Sequence, residues 1–147
     1  MDTQAIVDIL NELLAFEQRN MVPRVLESTV FISRLSVETM NVVQEMARAS
    51  AENGAWLADA IRELGGVVGG PRMTDTTSAD LHYQDLHHVL PRLVADREAL
   101  LHRYELVARR MGAEPRAVEA VQRILRRHQE ELARLQQIAG RNGGAAR

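Results

Sequence analysis

The sequence predicts an all-α protein of one domain, built as a four-helix bundle. Apolar residues recur at steps of three and four along four long stretches, which is the period of an amphipathic helix. Apolar residues make up 46% of the 147 residues but aromatic residues only 3%, a mix that suits helix packing better than a β-sandwich. The links between the four stretches are short, long and short, which is typical of an up-down bundle with one long crossover.

The first helix is predicted over residues 3–32. Asp2 or Thr3 is placed to cap it, since short polar side chains accept hydrogen bonds from the first helical N–H groups. Pro23 falls inside the apolar stripe, which continues in phase after it. We therefore expect one long helix with a kink near residues 19–23.

The second helix is predicted over residues 36–64, with Ser36 as its cap. It should end at the glycine pair that opens the segment Gly65–Thr77, because glycine leaves the helical conformation at little cost. That segment holds four glycines and a proline and has no period. It is long enough to travel the length of the bundle, and is predicted to be the crossover.

The third helix is predicted over residues 78–111 and the fourth over residues 115–139. Proline at position 115 suits the first residue of a helix, where its missing N–H group would have had no partner. The bundle domain thus covers residues 1–139. The remaining segment, 140–147, is small and polar and is predicted to be a flexible tail.

Three stretches resemble the ferritin-like superfamily, the four-helix bundles of the bacterioferritin and rubrerythrin type. They are Leu10–Glu17, Trp56–Gly66 and Ile124–Leu132. In the family, a similar first stretch ends on a metal-binding glutamate, the second closes helix two, and the third carries a Glu-x-x-His pair. The resemblance spans roughly residues 5 to 138 and implies the family's topology, two helix pairs joined by a long crossover.

The resemblance also implies where metal ligands would lie. A dinuclear site of this family takes one glutamate from each of two helices and a Glu-x-x-His pair from each of the other two. Glu17 matches the first-helix glutamate. On the fourth helix the pair falls on His128 and Glu131, the two residue types in reversed order.

The other family positions carry different residues. The second-helix pair falls on Ser50 and Asn53, and the third-helix glutamate falls near Val94, with Arg97 on the inward stripe. The dinuclear site is therefore degenerate. We expect Ser50, Asn53 and Arg97 to form a buried polar network in which the guanidinium pairs with Glu17 and Glu131 and replaces the lost cations.

This pattern favours a non-catalytic scaffold or interaction protein with a salt-bridge cluster in place of the metals, and no cofactor. The alternative is a metal-binding or redox protein that holds one iron, zinc or manganese ion on Glu17, His128 and Glu131. As an enzyme it would be ferroxidase-like or another metal-dependent oxidoreductase. A third interpretation is a bundle that binds a small apolar ligand where the metals would lie.

Composition sets further expectations about partners and location. A net charge of −2 without a basic excess argues against nucleic-acid binding. The absence of cysteine, of a basic signal-like start and of a membrane-length apolar run favours a bacterial-type cytoplasmic protein that does not enter a membrane. A homo-oligomer, a dimer in the first instance, is the expected assembly.

Overall fold

The computed structural model of the protein describes residues 2–27, 36–69, 85–112 and 114–145. These residues form an all-α four-helix bundle. The first of the four rods, residues 3–27, is broken into two helices. The helices are α1 (Thr3–Arg19), α2 (Met21–Glu27), α3 (Val37–Glu63), α4 (Leu86–Arg110) and α5 (Pro115–Ala145).

The first rod is divided at Asn20, where the sequence predicts one kinked helix over 3–32. Asn20 has extended backbone, with ψ at 176°. Its side-chain Oδ1 accepts a hydrogen bond from the N–H of Val22 at 3.0 Å, which starts α2. Pro23 is the third residue of α2, where its missing N–H group has no intrahelical partner to lose. The kink is thus a complete break, and residues 28–32 lie outside the described part.

Three other helix ends can be compared with the prediction. The end of α3 agrees, since Gly65 takes a left-handed φ of 76°. Helix α4 begins at Leu86 rather than at residue 78, because Asp85 is extended and caps it by accepting from the N–H of His87 at 2.9 Å. Residues 78–84 are not among those described. Helix α5 continues to Ala145 instead of ending at 139, through Gly140 and the later pair Gly143–Gly144, since each glycine inside a helix costs only about 1 kcal/mol.

Contacts along the helices give their directions. Helices α1 and α3 are antiparallel, because Asn11 bonds to the backbone of Val67 beyond the end of α3, while Glu17 meets Asn53 within it. Ion pairs between the exposed faces of α3 and α5 run in the same antiparallel order: Glu63–Arg116, Glu52–Arg127, Glu45–Arg134 and Glu38–Arg141.

Helix α4 is also antiparallel to α1, since Arg103 pairs with Glu12 and Asp96 bonds to the N–H of Met21. Because α3 and α4 are each antiparallel to α1, they are parallel to each other although they are consecutive along the chain. The end of α3 and the start of α4 therefore lie at opposite ends of the bundle, roughly 40 Å apart for a helix as long as α3. This up-down-down-up order is the predicted topology, and it is compatible with a ferritin-like fold. None of the described helices has the length and apolar character needed to cross a membrane.

The interior consists of two apolar clusters with a polar layer between them. One cluster includes Leu10, Leu57 and Ile124, and the other includes Val25, Val43 and Leu90. Along α3 and α5 the polar layer lies between the residues of the two clusters, and in the first part of the chain it lies near the break between α1 and α2. Its position near mid-bundle makes it the candidate site.

Candidate functional site

The polar layer is a set of side chains from four helices and from the α1–α2 break, all 8% exposed or less. Its members are Glu17, Asn20, Asn53, Arg97, Tyr104, His128 and Glu131. Each lies on the inward stripe of its helix or at a helix end that packs on that stripe. Because charged groups this deeply buried are costly unless they are paired, their partners decide what the layer can do.

Glu17 is the acceptor on which three helices converge. Its Oε1 accepts a hydrogen bond from Tyr104 OH at 2.6 Å and lies 2.6 Å from Nε2 of His128. Its Oε2 accepts from Asn53 Nδ2 at 3.4 Å. Burial raises the pKa of Glu17. The hydrogen bonds from His128 and Tyr104 and the charges of His128 and Arg97 together lower it by more, so the pKa lies below its ordinary 4.5. Glu17 is therefore ionised at neutral pH.

His128 lies between the two carboxylates of the layer. Its Nδ1 is 2.9 Å from Arg97 NH1 and 3.6 Å from Glu131 Oε1. Burial lowers the pKa of His128, but its interactions with Glu131 and Glu17 raise it by more, so the pKa lies above the ordinary 6.5. A neutral ring accepts from Arg97 at Nδ1 and donates to Glu17 at Nε2. A protonated ring carries a proton on both nitrogens, and its Nδ1 then faces the Glu131 carboxylate as a charge partner at 3.6 Å, beyond hydrogen-bond distance.

Arg97 supplies the permanent positive charge and is fully buried. Its NH1 lies 3.7 Å from Glu131 Oε2, and its NH2 donates to Asn20 Oδ1 at 3.5 Å. The expected pairing with Glu131 is thus present, but His128, not Arg97, contacts Glu17 directly. Two carboxylates face one guanidinium, so the layer is neutral only when His128 is protonated. This charge balance agrees with the raised pKa of His128.

Tyr104 and Asn20 belong to the layer, although sequence analysis did not single them out. Burial and the neighbouring Glu17 carboxylate hold the pKa of Tyr104 well above its ordinary 10, so it stays a hydrogen-bond donor. The sequence does place Tyr104 on the inward stripe, seven residues after Arg97. Because a buried tyrosine hydroxyl needs a hydrogen-bond partner, that position could have indicated a bond to the layer. For Asn20 the signal was a capping residue just before Pro23.

Asn53 connects the layer to the surface, as part of the expected polar network. Its Oδ1 accepts from Arg127 NH1 at 3.1 Å, while its Nδ2 faces Glu17. Arg127 also pairs with Glu52 at 3.1 Å and lies over the ring of Trp56, 4.6 Å from its centroid. The half-buried Trp56 thus packs against Arg127, the outermost residue of this hydrogen-bonded series.

Ser50 is buried as expected, but it is not bonded into the layer. Its Oγ has no hydrogen-bond partner among the described residues. Ser50 instead lines a groove between α3 and the α1–α2 rod, together with Glu17. The predicted network therefore divides, with Asn53 and Arg97 inside it and Ser50 beside it.

The layer does not fit the metal groups that the resemblance implies. A metal between Glu17 and His128 with bonds of about 2.1 Å would hold its ligand atoms roughly 3 Å apart, whereas these atoms are 2.6 Å apart. Glu17 and Glu131 also face different nitrogens of the His128 ring, which point away from each other. Within the described ranges, no three His, Cys, Asp or Glu side chains are grouped to hold a metal ion.

Comparison of the chain with protein-family models, with curated protein sequences and with solved structures gives no significant match in any of the three.

Proposed function

We propose that this chain is a ferritin-like bundle without an intact di-iron site, which serves as a non-catalytic scaffold or interaction protein. The observation that carries the proposal is the direct contact of His128 and Tyr104 with Glu17, at 2.6 Å each, where the resemblance would place metal ligands. Because Oε1 of Glu17 already takes part in two short contacts within the protein, it is not free to bind a metal ion.

Charge supports the same proposal. In a dinuclear site, bridging carboxylates balance two cations. Here the guanidinium of Arg97 and, below its raised pKa, the protonated ring of His128 take the place of those cations opposite Glu17 and Glu131. The ferritin-like assignment is supported by the up-down-down-up order of the helices and by Glu17 and His128 meeting at mid-bundle. As a scaffold, the bundle is proposed to work as a homodimer, which light scattering on the purified chain would measure.

Metal titration tests the proposal. The purified chain is incubated with iron(II), zinc or manganese, and bound metal and melting temperature are measured after removal of the excess. We expect no stoichiometric binding and no rise in melting temperature. Stoichiometric binding that is lost in His128→Ala would overturn the proposal and favour the metal-binding or redox alternative.

Arg97→Ala tests the cluster itself. Removing the guanidinium leaves Glu131 buried without its cation, so we expect a loss of about 3–5 kcal/mol in the free energy of unfolding. Arg103→Ala, on the same helix, is the matched control. Arg103 is 49% exposed and its ion pair with Glu12 lies at the surface, so its loss should cost less than about 1 kcal/mol. Equal effects of the two substitutions would contradict a stabilising role for Arg97.

A further inference from the structure

The groove lined by Ser50 and Glu17 lies beside the cluster, with which it shares Glu17, and its open space has no part in the proposed function. It runs between α3 and the α1–α2 rod and encloses about 670 Å³. Cavities of roughly 300–1,000 Å³ accommodate small organic ligands. Its walls are mostly apolar and small: Leu14, Pro23, Leu26, Ala47, Ala51, Gly54, Ala55, Ala58 and Val68.

The small residues of α3 give the groove its width. Ala47, Ala51, Gly54, Ala55 and Ala58 repeat at steps that keep them on one side of the helix. Across from them Leu26 of α2 is 41% exposed, which is high for a large apolar side chain at a helix–helix seam. The seam is therefore apolar but incompletely packed by the described residues.

Two polar groups lie at the inner end of the groove. Ser50 is 8% exposed and its Oγ has no hydrogen-bond partner among the described residues. Glu17 commits Oε1 to Tyr104 and His128, but its Oε2 accepts a single long bond of 3.4 Å from Asn53. A buried hydroxyl without a partner is unfavourable, so a ligand that bonds to Ser50 would recover that loss.

We propose that this groove binds a small aliphatic alcohol, with its hydroxyl bonded to Ser50 and Glu17 and its chain along the alanines of α3. The head group follows from the charges. A carboxylate would be repelled by the buried Glu17 at the inner end, while the exposed Asp59 and Arg62 of the lining are paired with each other at 3.5 Å and offset one another. Below the raised pKa of His128, Arg97 and the protonated ring offset Glu17 and Glu131, so a cation would add an unbalanced charge to the layer. An uncharged hydroxyl can donate a hydrogen bond to Glu17 and accept one from the Ser50 hydroxyl.

Titration with 1-octanol, octanoate and octylamine at pH 6 tests the proposal on the full chain. Methyl NMR shifts of Leu14, Leu26 and Val68 report occupancy of the groove. We expect saturable shifts with 1-octanol and affinities at least about tenfold weaker for the two charged analogues. Absence of shifts with 1-octanol, or equal binding of octanoate or octylamine, would overturn the proposal.

Substitutions locate the site. Ala51 is exposed and lines the groove, so Ala51→Phe should fill it and reduce 1-octanol affinity by at least about tenfold. Ala95→Phe is the matched control, since Ala95 is exposed on α4 and away from the groove. A comparable loss in both variants, or none in Ala51→Phe, would show that the alcohol binds elsewhere.

Ser50→Ala tests the head group. We expect roughly a fivefold loss of 1-octanol affinity, the worth of one hydrogen bond. The melting temperature without ligand should not fall, because the hydroxyl has no partner to lose. Unchanged affinity in a folded Ser50→Ala variant would refute the assigned contact. None of these outcomes depends on metal binding, so the proposed function stands or falls separately.

Discussion

At the scale of single residues, His128 decides how the charges of the polar layer are shared. Its ring touches one carboxylate through Nε2 and lies near both a guanidinium and a second carboxylate through Nδ1. Whether Nδ1 carries a proton determines whether it accepts a hydrogen bond from Arg97 or faces Glu131 as a positive charge. The protonation of one ring therefore sets the hydrogen-bond pattern at the centre of the bundle.

The pKa of His128 should consequently depend on Glu131. NMR titration of the ring should give a pKa above 6.5 in the unmodified chain, and Glu131→Gln should lower it, because a neutral amide stabilises the imidazolium less than a carboxylate does. Glu130→Gln is the control, as Glu130 is exposed on the same helix. An equal shift in both variants would mean that long-range charge, and not the Glu131 contact, raises the pKa.

At the scale of elements, the break at Asn20 connects the first rod to the polar layer. Asn20 Nδ2 donates to the carbonyls of Phe16 and Glu17 at the end of α1, while its Oδ1 serves Val22 at the start of α2. Asp96 of α4 accepts from the N–H of Met21 at 3.1 Å, which adds a second cap from another helix. One side chain thus ends one helix, begins the next and accepts from Arg97.

Asn20→Ala should destabilise the bundle by about 1–2 kcal/mol, since it removes a cap and leaves backbone groups at the break without partners. Urea unfolding followed by circular dichroism measures the change. Gln18→Ala, at an exposed position two residues earlier, should change stability by less than about 0.5 kcal/mol. A loss for Asn20→Ala no larger than that of the control would argue against a capping role.

At the scale of the whole molecule, the polar layer should make stability depend on pH from both sides. The pKa of Glu17 is lowered in the folded state, so its contribution is present above pH 4.5 and is lost as pH falls through the folded-state pKa. The pKa of His128 is raised, so its contribution is present below pH 6.5 and is lost as pH rises through the folded-state pKa. Both contributions are complete only between these two values.

Melting temperature should accordingly be highest between pH 4.5 and 6.5 and fall on either side. His128→Gln keeps a polar side chain but cannot be protonated in this range, so it should flatten the decline on the alkaline side. His102→Gln, at an exposed position of α4, is the control and should leave the profile unchanged. A wild-type alkaline decline that persists in His128→Gln would assign it to another group.

Sequence pattern was enough to predict the four helical segments of the bundle and the depth of the polar layer. Apolar periodicity located the long helices, the glycine at 65 marked the end of α3, and the inward stripes carried Glu17, Asn53, Arg97 and His128 to the same level. These features follow from helix geometry, which places residues three and four apart on one face. The long link between the second and third helices likewise indicated a crossover before any contact was known.

Tertiary structure alone decided which of these polar groups are partners. Periodicity gives the face of a helix but not its rotation against neighbours or the rotamers of its side chains, and a hydrogen bond is sensitive to a few tenths of an ångström. For that reason the expected contact of Arg97 with Glu17 is made by His128, Tyr104 enters the layer as a donor, and Ser50 lies in the groove beside it. The break at Asn20 also needed the third dimension, because the cap from Asp96 comes from a helix 75 residues away in the sequence.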